Sequence, residues 1–221
     1  GNSTDCVFDI TVTDDESPML TNCPQDILQS NDSSQCGAIV TWSLPTATDN
    51  CVTPSVTNSD NSGDFFGVGN HTVTFTFSDT SGNSTDCVFD ITVTDDESPM
   101  LTNCPQDILQ SNDSSQCGAI VTWSLPTATD NCVTPSVTNS DNSGDFFGVG
   151  NHTVTFTFSD TSGNSTDCVF DITVTDDESP MLTNCPQDIL QSNDSSQCGA
   201  IVTWSLPTAT DNCVTPSVTN S

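Results

Sequence analysis

Thr72-Val73-Thr74-Phe75-Thr76-Phe77-Ser78 alternates without a break. Val73, Phe75 and Phe77 fall on one face and threonine on the other, the period-2 pattern of a strand packed on one side and wet on the other. Cys87 to Thr94 repeats the pattern with Cys87, Phe89, Ile91 and Val93 inward. Upstream, Ala38-Ile39-Val40-Thr41-Trp42-Ser43-Leu44 sets Ala38, Val40, Trp42 and Leu44 on one face. Turn-rich stretches separate these runs: Ser30 to Ser34, Asn58 to Asp64 and Ser78 to Asn83. No helical periodicity competes. Six or seven short strands in about 80 residues predict an all-β chain of immunoglobulin-like β-sandwiches.

The pattern returns because the sequence returns. Residues 1–81 recur unchanged at 82–162, and 163–221 repeats the first 59 positions. An 81-residue unit is too long for a solenoid repeat and suits a small independent domain. Between units lies Thr13-Asp14-Asp15-Glu16-Ser17-Pro18, which returns at Thr94 to Pro99 and Thr175 to Pro180. It reads as a joint: a strand ends, three acidic side chains follow, and a proline opens the next domain. On that division 15–95 and 96–176 are whole repeats, 1–14 is the last strand of a preceding repeat, and 177–221 is the front part of a following one. The real chain is then expected to continue in both directions.

Composition narrows the function. There are 30 Asp plus Glu and no Lys or Arg, a formal net charge of −30. Nothing here releases counterions from a nucleic acid or is drawn to an anionic membrane. No stretch reaches the roughly 20 apolar residues of a membrane-spanning helix. Twelve cysteines, four per repeat, read as disulfides made in an oxidising compartment. Without Lys or Tyr, isopeptide and dityrosine cross-links are excluded, and trypsin-like proteases have nowhere to cut. Catalysis has no cationic group for oxyanion or phosphate stabilisation, and an active site copied unchanged into each bead would be unusual. The expectation is no enzyme.

One repeat reads Cys23-Pro24-Gln25-Asp26-Ile27, then Cys36-Gly37-Ala38-Ile39-Val40-Thr41-Trp42, then Thr48-Asp49-Asn50-Cys51. It continues Gly67-Val68-Gly69-Asn70-His71-Thr72-Val73, then Asp79-Thr80-Ser81-Gly82-Asn83, and closes Cys87-Val88-Phe89-Asp90-Ile91-Thr92-Val93-Thr94-Asp95. This series resembles the hyalin repeat, and the likeness covers both whole units and both fragments. It implies an immunoglobulin-like sandwich in extracellular proteins, often in tandem, with roles in adhesion and matrix and no catalysis. Four cysteines per repeat allow three pairings. The resemblance implies Cys23 with Cys87 and Cys36 with Cys51, and likewise Cys104 with Cys168 and Cys117 with Cys132.

Other candidates rest on the residues. If the chain's two ends lie at opposite ends of a sandwich, the loops holding Asp49 and Asp79 lie beside Asp14, Asp15 and Glu16. Five carboxylates there would supply the hard oxygen ligands calcium takes, with backbone carbonyls completing the set. The second copy is Asp95, Asp96, Glu97, Asp130 and Asp160. The plainer reading is a solvated acidic hinge. Sequons for N-linked glycans stand at Asn2, Asn31, Asn70, Asn83, Asn112, Asn151, Asn164 and Asn193. By parity Trp42 belongs to the core. His71 reads as a surface strand residue, and Phe65-Phe66 as a core cap or a sticky patch.

The reading is an extracellular structural protein, secreted or at the cell surface, whose repeats form a rod or filament with a mechanical or adhesive role. Its partners are copies of itself or other matrix and surface glycoproteins, with no nucleic acid and no membrane insertion. No cofactor is required; calcium and N-linked glycans are the expected additions. The rivals are an adhesion stalk that spaces a ligand-binding head and an acidic calcium-binding matrix protein.

Overall fold

In the computed structural model, which describes residues 1–219, eight strands follow one another in the first repeat. They are β1 (Met19–Asn22), β2 (Ile27–Ser30), β3 (Gly37–Ile39), β4 (Thr46–Thr48), β5 (Ser55–Asn58), β6 (Phe65–Gly67), β7 (Gly69–Ser78) and β8 (Ser84–Thr94). The second repeat gives β9 (Met100–Asn103), β10 (Ile108–Ser111), β11 (Gly118–Ile120), β12 (Thr127–Thr129), β13 (Ser136–Asn139), β14 (Phe146–Gly148), β15 (Gly150–Ser159) and β16 (Ser165–Thr175). After it come β17 (Met181–Asn184) and β18 (Thr208–Thr210). No helix occurs among the described residues.

The longest strands form where the alternation is strictest. β7 and β8 pair antiparallel from Gly69↔Val93 to Ser78↔Ser84. Asp79 closes their turn: its Oδ1 accepts the amides of Ser81, Gly82 and Asn83 at 2.7–2.8 Å. Gly82 takes the positive φ (98°) that this turn needs. β5 pairs on one side of the hairpin and β2 on the other, giving the order β2-β8-β7-β5, with β2 parallel to β8. Opposite this sheet stand the antiparallel pairs β1–β4 and β3–β6.

The core lies between the layers. Val73, Phe75, Phe77, Cys87, Phe89, Ile91 and Val93 meet Ala38, Val40 and Phe66. Trp42 packs against this cluster, edge-on to Phe89 with ring centroids 5.4 Å apart. Gly37 is required by close approach, since a Cβ there would run into the Phe66 carbonyl and the Phe65 ring. The second repeat builds the same cluster from Ala119, Val121, Phe147 and the inward residues of β15 and β16.

Three expectations about side chains change. Leu44 is 64% exposed, because the ladder of β3 ends at Ile39, the last backbone bonds are those of Val40 with Gly63 and Asp64, and Trp42 is held instead by Ser62, whose Oγ accepts its amide at 2.8 Å. Phe65 and Phe66 divide the two readings, 54% and 5% exposed. His71 is half-buried, with Nε2 2.8 Å from the Gly67 carbonyl and its ring edge-on to Phe66.

The disulfides need a larger correction. Cys23 joins Cys87 and Cys104 joins Cys168, each closing 64 residues. Cys36, however, does not pair with Cys51, nor Cys117 with Cys132. Cys36 joins Cys132 and Cys117 joins Cys213, each across 96 residues. The reason is distance. Cys51 lies beside Asp14 and Asp49, near the β7–β8 turn, where Asn83 Nδ2 reaches the Asp14 carbonyl. Cys36 follows the turn that bonds the far end of β8, where the Asn31 amide meets the Thr94 carbonyl at 2.8 Å. β8 has 11 residues, so those ends are roughly 35 Å apart at about 3.4 Å per residue. A disulfide needs Cα atoms within about 7 Å. Cys36 and Cys132 have theirs at 4.6 Å. Cys6, Cys51, Cys185 and Cys198 are free and exposed.

The compact units do not follow the repeat boundaries. The first is Gly1–Pro99 together with Asp130–Thr134 and Asp160–Asn164; the second is the remainder. Residues 1–12 form no strand.

Candidate metal centre at the acidic joint

The joint after β8 is clamped by the turn after β2. Asn31 is 9% exposed; its Oδ1 accepts the Asp96 amide at 3.1 Å and its Nδ2 donates to the Gln35 carbonyl at 3.0 Å. Glu97 bends back onto the same turn, and both its oxygens accept the Ser34 amide at 2.9–3.0 Å. These bonds fix Asp95, the one buried carboxylate of the joint, 7% exposed.

Asp95 sits with Asp130 and Asp160, an oxygen from each lying within 4.8 Å of the others. Around them, Asn131 Nδ2 donates to Asp95 Oδ1 at 3.3 Å and Ser162 Oγ to Asp95 Oδ2 at 3.2 Å. Asn164 Nδ2 donates to the Asp95 carbonyl at 3.1 Å. Asp130 Oδ2 accepts the Cys132 amide at 3.0 Å, while its Oδ1 is buried without a partner. Asn131 Oδ1 is buried without a partner too. Asp160 Oδ1 accepts three amides, from Ser162, Gly163 and Asn164. Burial raises the Asp160 carboxyl, but the Asn164 side chain and these amides outweigh it and hold the group below its ordinary 3.8. All these residues belong to the first compact unit.

A carboxylate pair at this spacing repels by about 3.5 kcal/mol or more at an effective dielectric near 20, before salt screening. No Lys or Arg exists in the chain to offset it. Hard oxygens, two buried acceptors with nothing to accept from, and uncompensated negative charge fit a calcium ion. They would not favour a soft metal.

The first copy is similar but looser. Asp14, Asp49 and Cys51 bring one ligand atom each within 4.8 Å. Asp49 Oδ1 is again buried and unpartnered. A hydrogen bond with Asp14, then burial and the neighbouring carboxylates, pushes the Cys51 thiol up from 9.0. In the second copy the equivalent sulfur is engaged with Cys36.

The expected five-carboxylate cluster therefore shrinks to three in the second copy and to two with a thiol in the first. Asp15, Glu16 and Asp96 are exposed and outside it, and Glu97 serves the turn. Asp79 holds its own hairpin turn, lowered below 3.8 because Asn83 and the turn amides overcome burial. Sequence reading missed Asn131, Ser162 and Asn164. The repeated Asp-Asn-Cys and Asp-Thr-Ser-Gly-Asn strings were the available signal, since each offers acidic and amide groups on one loop.

The sequons also divide. Asn31 and Asn112 are buried, and Asn83 and Asn164 donate through Nδ2 to a carbonyl and a carboxylate. At these four positions the side chain is buried or its amide is engaged in the joint, so a sugar would compete with those contacts. Asn193 Nδ2 is engaged with the Gln197 carbonyl at 2.8 Å. Asn70 and Asn151 are exposed on β7 and β15 and use only Oδ1, accepting from Thr92 and Thr173. Asn2 is exposed.

Residues 13–93 and 94–174 each match the family described as the HYR domain. The chain is 36% identical over 214 residues to hyalin of Strongylocentrotus purpuratus and 37% identical over 221 residues to hyalin of Lytechinus variegatus. These alignments take in 93% and 96% of this chain, but 18% and 42% of those relatives' lengths. A rat protein described by its Sushi, von Willebrand factor type A, EGF and pentraxin domains is 32% identical over 169 residues, spanning 73% of this chain and 4% of that protein.

Proposed function

The chain belongs to the HYR domain family, and on that ground we propose that it is an extracellular structural protein whose tandem repeats build a rod or filament stiffened by calcium at its acidic joints. Its role is mechanical or adhesive, and it carries out no catalysis. The observation that supports calcium is the unpartnered, buried Oδ1 of Asp130, whose carboxylate is grouped with those of Asp95 and Asp160 in a chain with no Lys or Arg. Asp95, Asp130 and Asp160 would hold the ion, which would neutralise the joint and fix the loops that carry it. The repeats' partners are copies of the same chain, since an identical surface at every unit makes one contact propagate along an array. N-linked glycans sit on Asn70 and Asn151, which leave Nδ2 free.

Electron microscopy of native material with and without EGTA, alongside calcium titration by calorimetry, tests this reading. Ordered fibres that loosen into flexible strings in EGTA are expected, with Asp130→Asn weakening calcium binding at least about tenfold, roughly 1.4 kcal/mol. Fibres unchanged by EGTA and no heat of binding would remove calcium from the account. Isolated strings in both conditions would favour a stalk. A mass shift on glycan removal that persists in the Asn70→Gln/Asn151→Gln variant would place the sugar elsewhere.

A further inference from the structure

Two covalent connections leave the first repeat for the second. One is the peptide chain, which runs seventeen residues from Cys87 to Cys104 through the acidic joint. The other is the Cys36–Cys132 disulfide. The second repeat continues in the same manner, by peptide from Cys168 and by the Cys117–Cys213 disulfide. Because Cys23–Cys87 closes the repeat on itself, both connections start from one covalent body. We propose that the staggered bridge makes each acidic joint redundant as a covalent link, so that the array stays in one piece when the peptide chain at a joint is cut.

The two links differ in exposure. The joint lies between strands; Asp95 and Pro99 are buried and Glu97 is half-buried on the Ser34 amide, but Asp96 and Ser98 are exposed, and exposed irregular chain is where proteases nick. The chain's only glutamates, Glu16, Glu97 and Glu178, are all in joints. Cys36 and Cys132 are half-buried, and the loops carrying them are tied by Asn131 Nδ2 donating to the Gln35 carbonyl at 3.0 Å. Hydrolysis at Glu97–Ser98 adds one water across a peptide bond and touches neither sulfur. Pairing Cys36 with Cys51 would have closed each repeat on itself and left the joint as the sole connection. The inference goes beyond the reading above, since it rests on connectivity alone and on neither calcium nor the array's role.

The lone glutamate in each joint supplies the experiment. The exposed thiols of the purified chain are alkylated first, and the chain is then unfolded in urea without reductant and digested with a glutamate-specific protease. Cleavage yields 1–16, 17–97, 98–178 and 179–221. Residues 17–221 are expected to run as one species before reduction. After reduction they separate into two 81-residue pieces and the shorter 179–221. The reduced lane also reports whether the cuts are complete. Free 81-residue pieces before reduction would overturn the proposal. In Cys132→Ser the piece 17–97 should come free without reductant; its retention in the large species would overturn the proposal equally.

Discussion

Residues 1–12 and residues 82–93 are the same twelve amino acids, yet only the second set is built into a sandwich. Phe89 and Ile91 are 2% and 0% exposed; Phe8 and Ile10 are 75% and 77%. The second copy, as β8, lies between β7 and β2, and the first pairs with nothing. The contrast extends into the joints that follow, where Asp95 is buried and Asp14 is not. Period-2 alternation therefore permits a strand, and partners on both edges make one. Likewise the acidic cluster is not a property of its local string. Its three-carboxylate form with a buried first member occurs where a completed β8 anchors Asp95 and the loops at 130–134 and 160–164 supply the rest; after the unpaired residues 1–12 the group is Asp14, Asp49 and the Cys51 thiol.

Removing Cys23–Cys87 should widen the contrast most. The bridge closes 64 residues, worth about 4 kcal/mol in the chain-entropy model. Cys23→Ser with Cys87→Ser should lower the denaturation midpoint steeply, while Cys6→Ser, the same residue in the exposed copy, should leave it unchanged. Equal effects from the two would mean that residues 1–12 are packed in solution. Phe89→Ala should come next, at about 3 kcal/mol for an aromatic lost from a closed core, against less than about 0.5 for Phe8→Ala. Chemical denaturation monitored by tryptophan fluorescence reads both, since Trp42 packs on Phe89.

The smallest expected effect concerns pH. Asp79 and Asp160 are held below 3.8 in the folded chain. Their contribution to stability is thus fully present above about pH 4, and it fades as the pH falls through the folded-state values. Urea midpoints for Asp79→Asn and Asp160→Asn should lie below the parent at pH 6 and converge on it near pH 2. Both groups are in contact with solvent, so the separation should be small. Parallel curves at both pH values would show that the turn bonds do not depend on charge.

Much of this was legible beforehand, for a physical reason. Thr72 to Ser78 and Cys87 to Thr94 carry their burial in their own alternation, so the hairpin could be read directly. Leu44 could not, because its exposure depends on where β3 loses its partner β6, a long-range event. Parity is a local rule and fails once pairing stops. The partner of Cys36 was hidden more deeply. Four cysteines in an 81-residue repeat invite pairing within it, and nothing in the string says that residues 36 and 51 stand at opposite ends of a strand 11 residues long. The sequons at Asn31 and Asn83 are a different case. The motif reports what a glycosylating enzyme accepts, whereas the fold uses the same amides to hold the joint together.

The parallel pairing of β2 with β8 gives each repeat a direction. The first strand of the large sheet and the last point the same way, so the chain crosses a sandwich in one sense and no twofold axis relates its two ends. In the proposed array a line of such repeats would be a vector. Two chains meeting side by side face a choice between like and opposed senses, and the two choices bring different residues together. Any growth from an end is likewise growth from a defined end, with a different face offered at each.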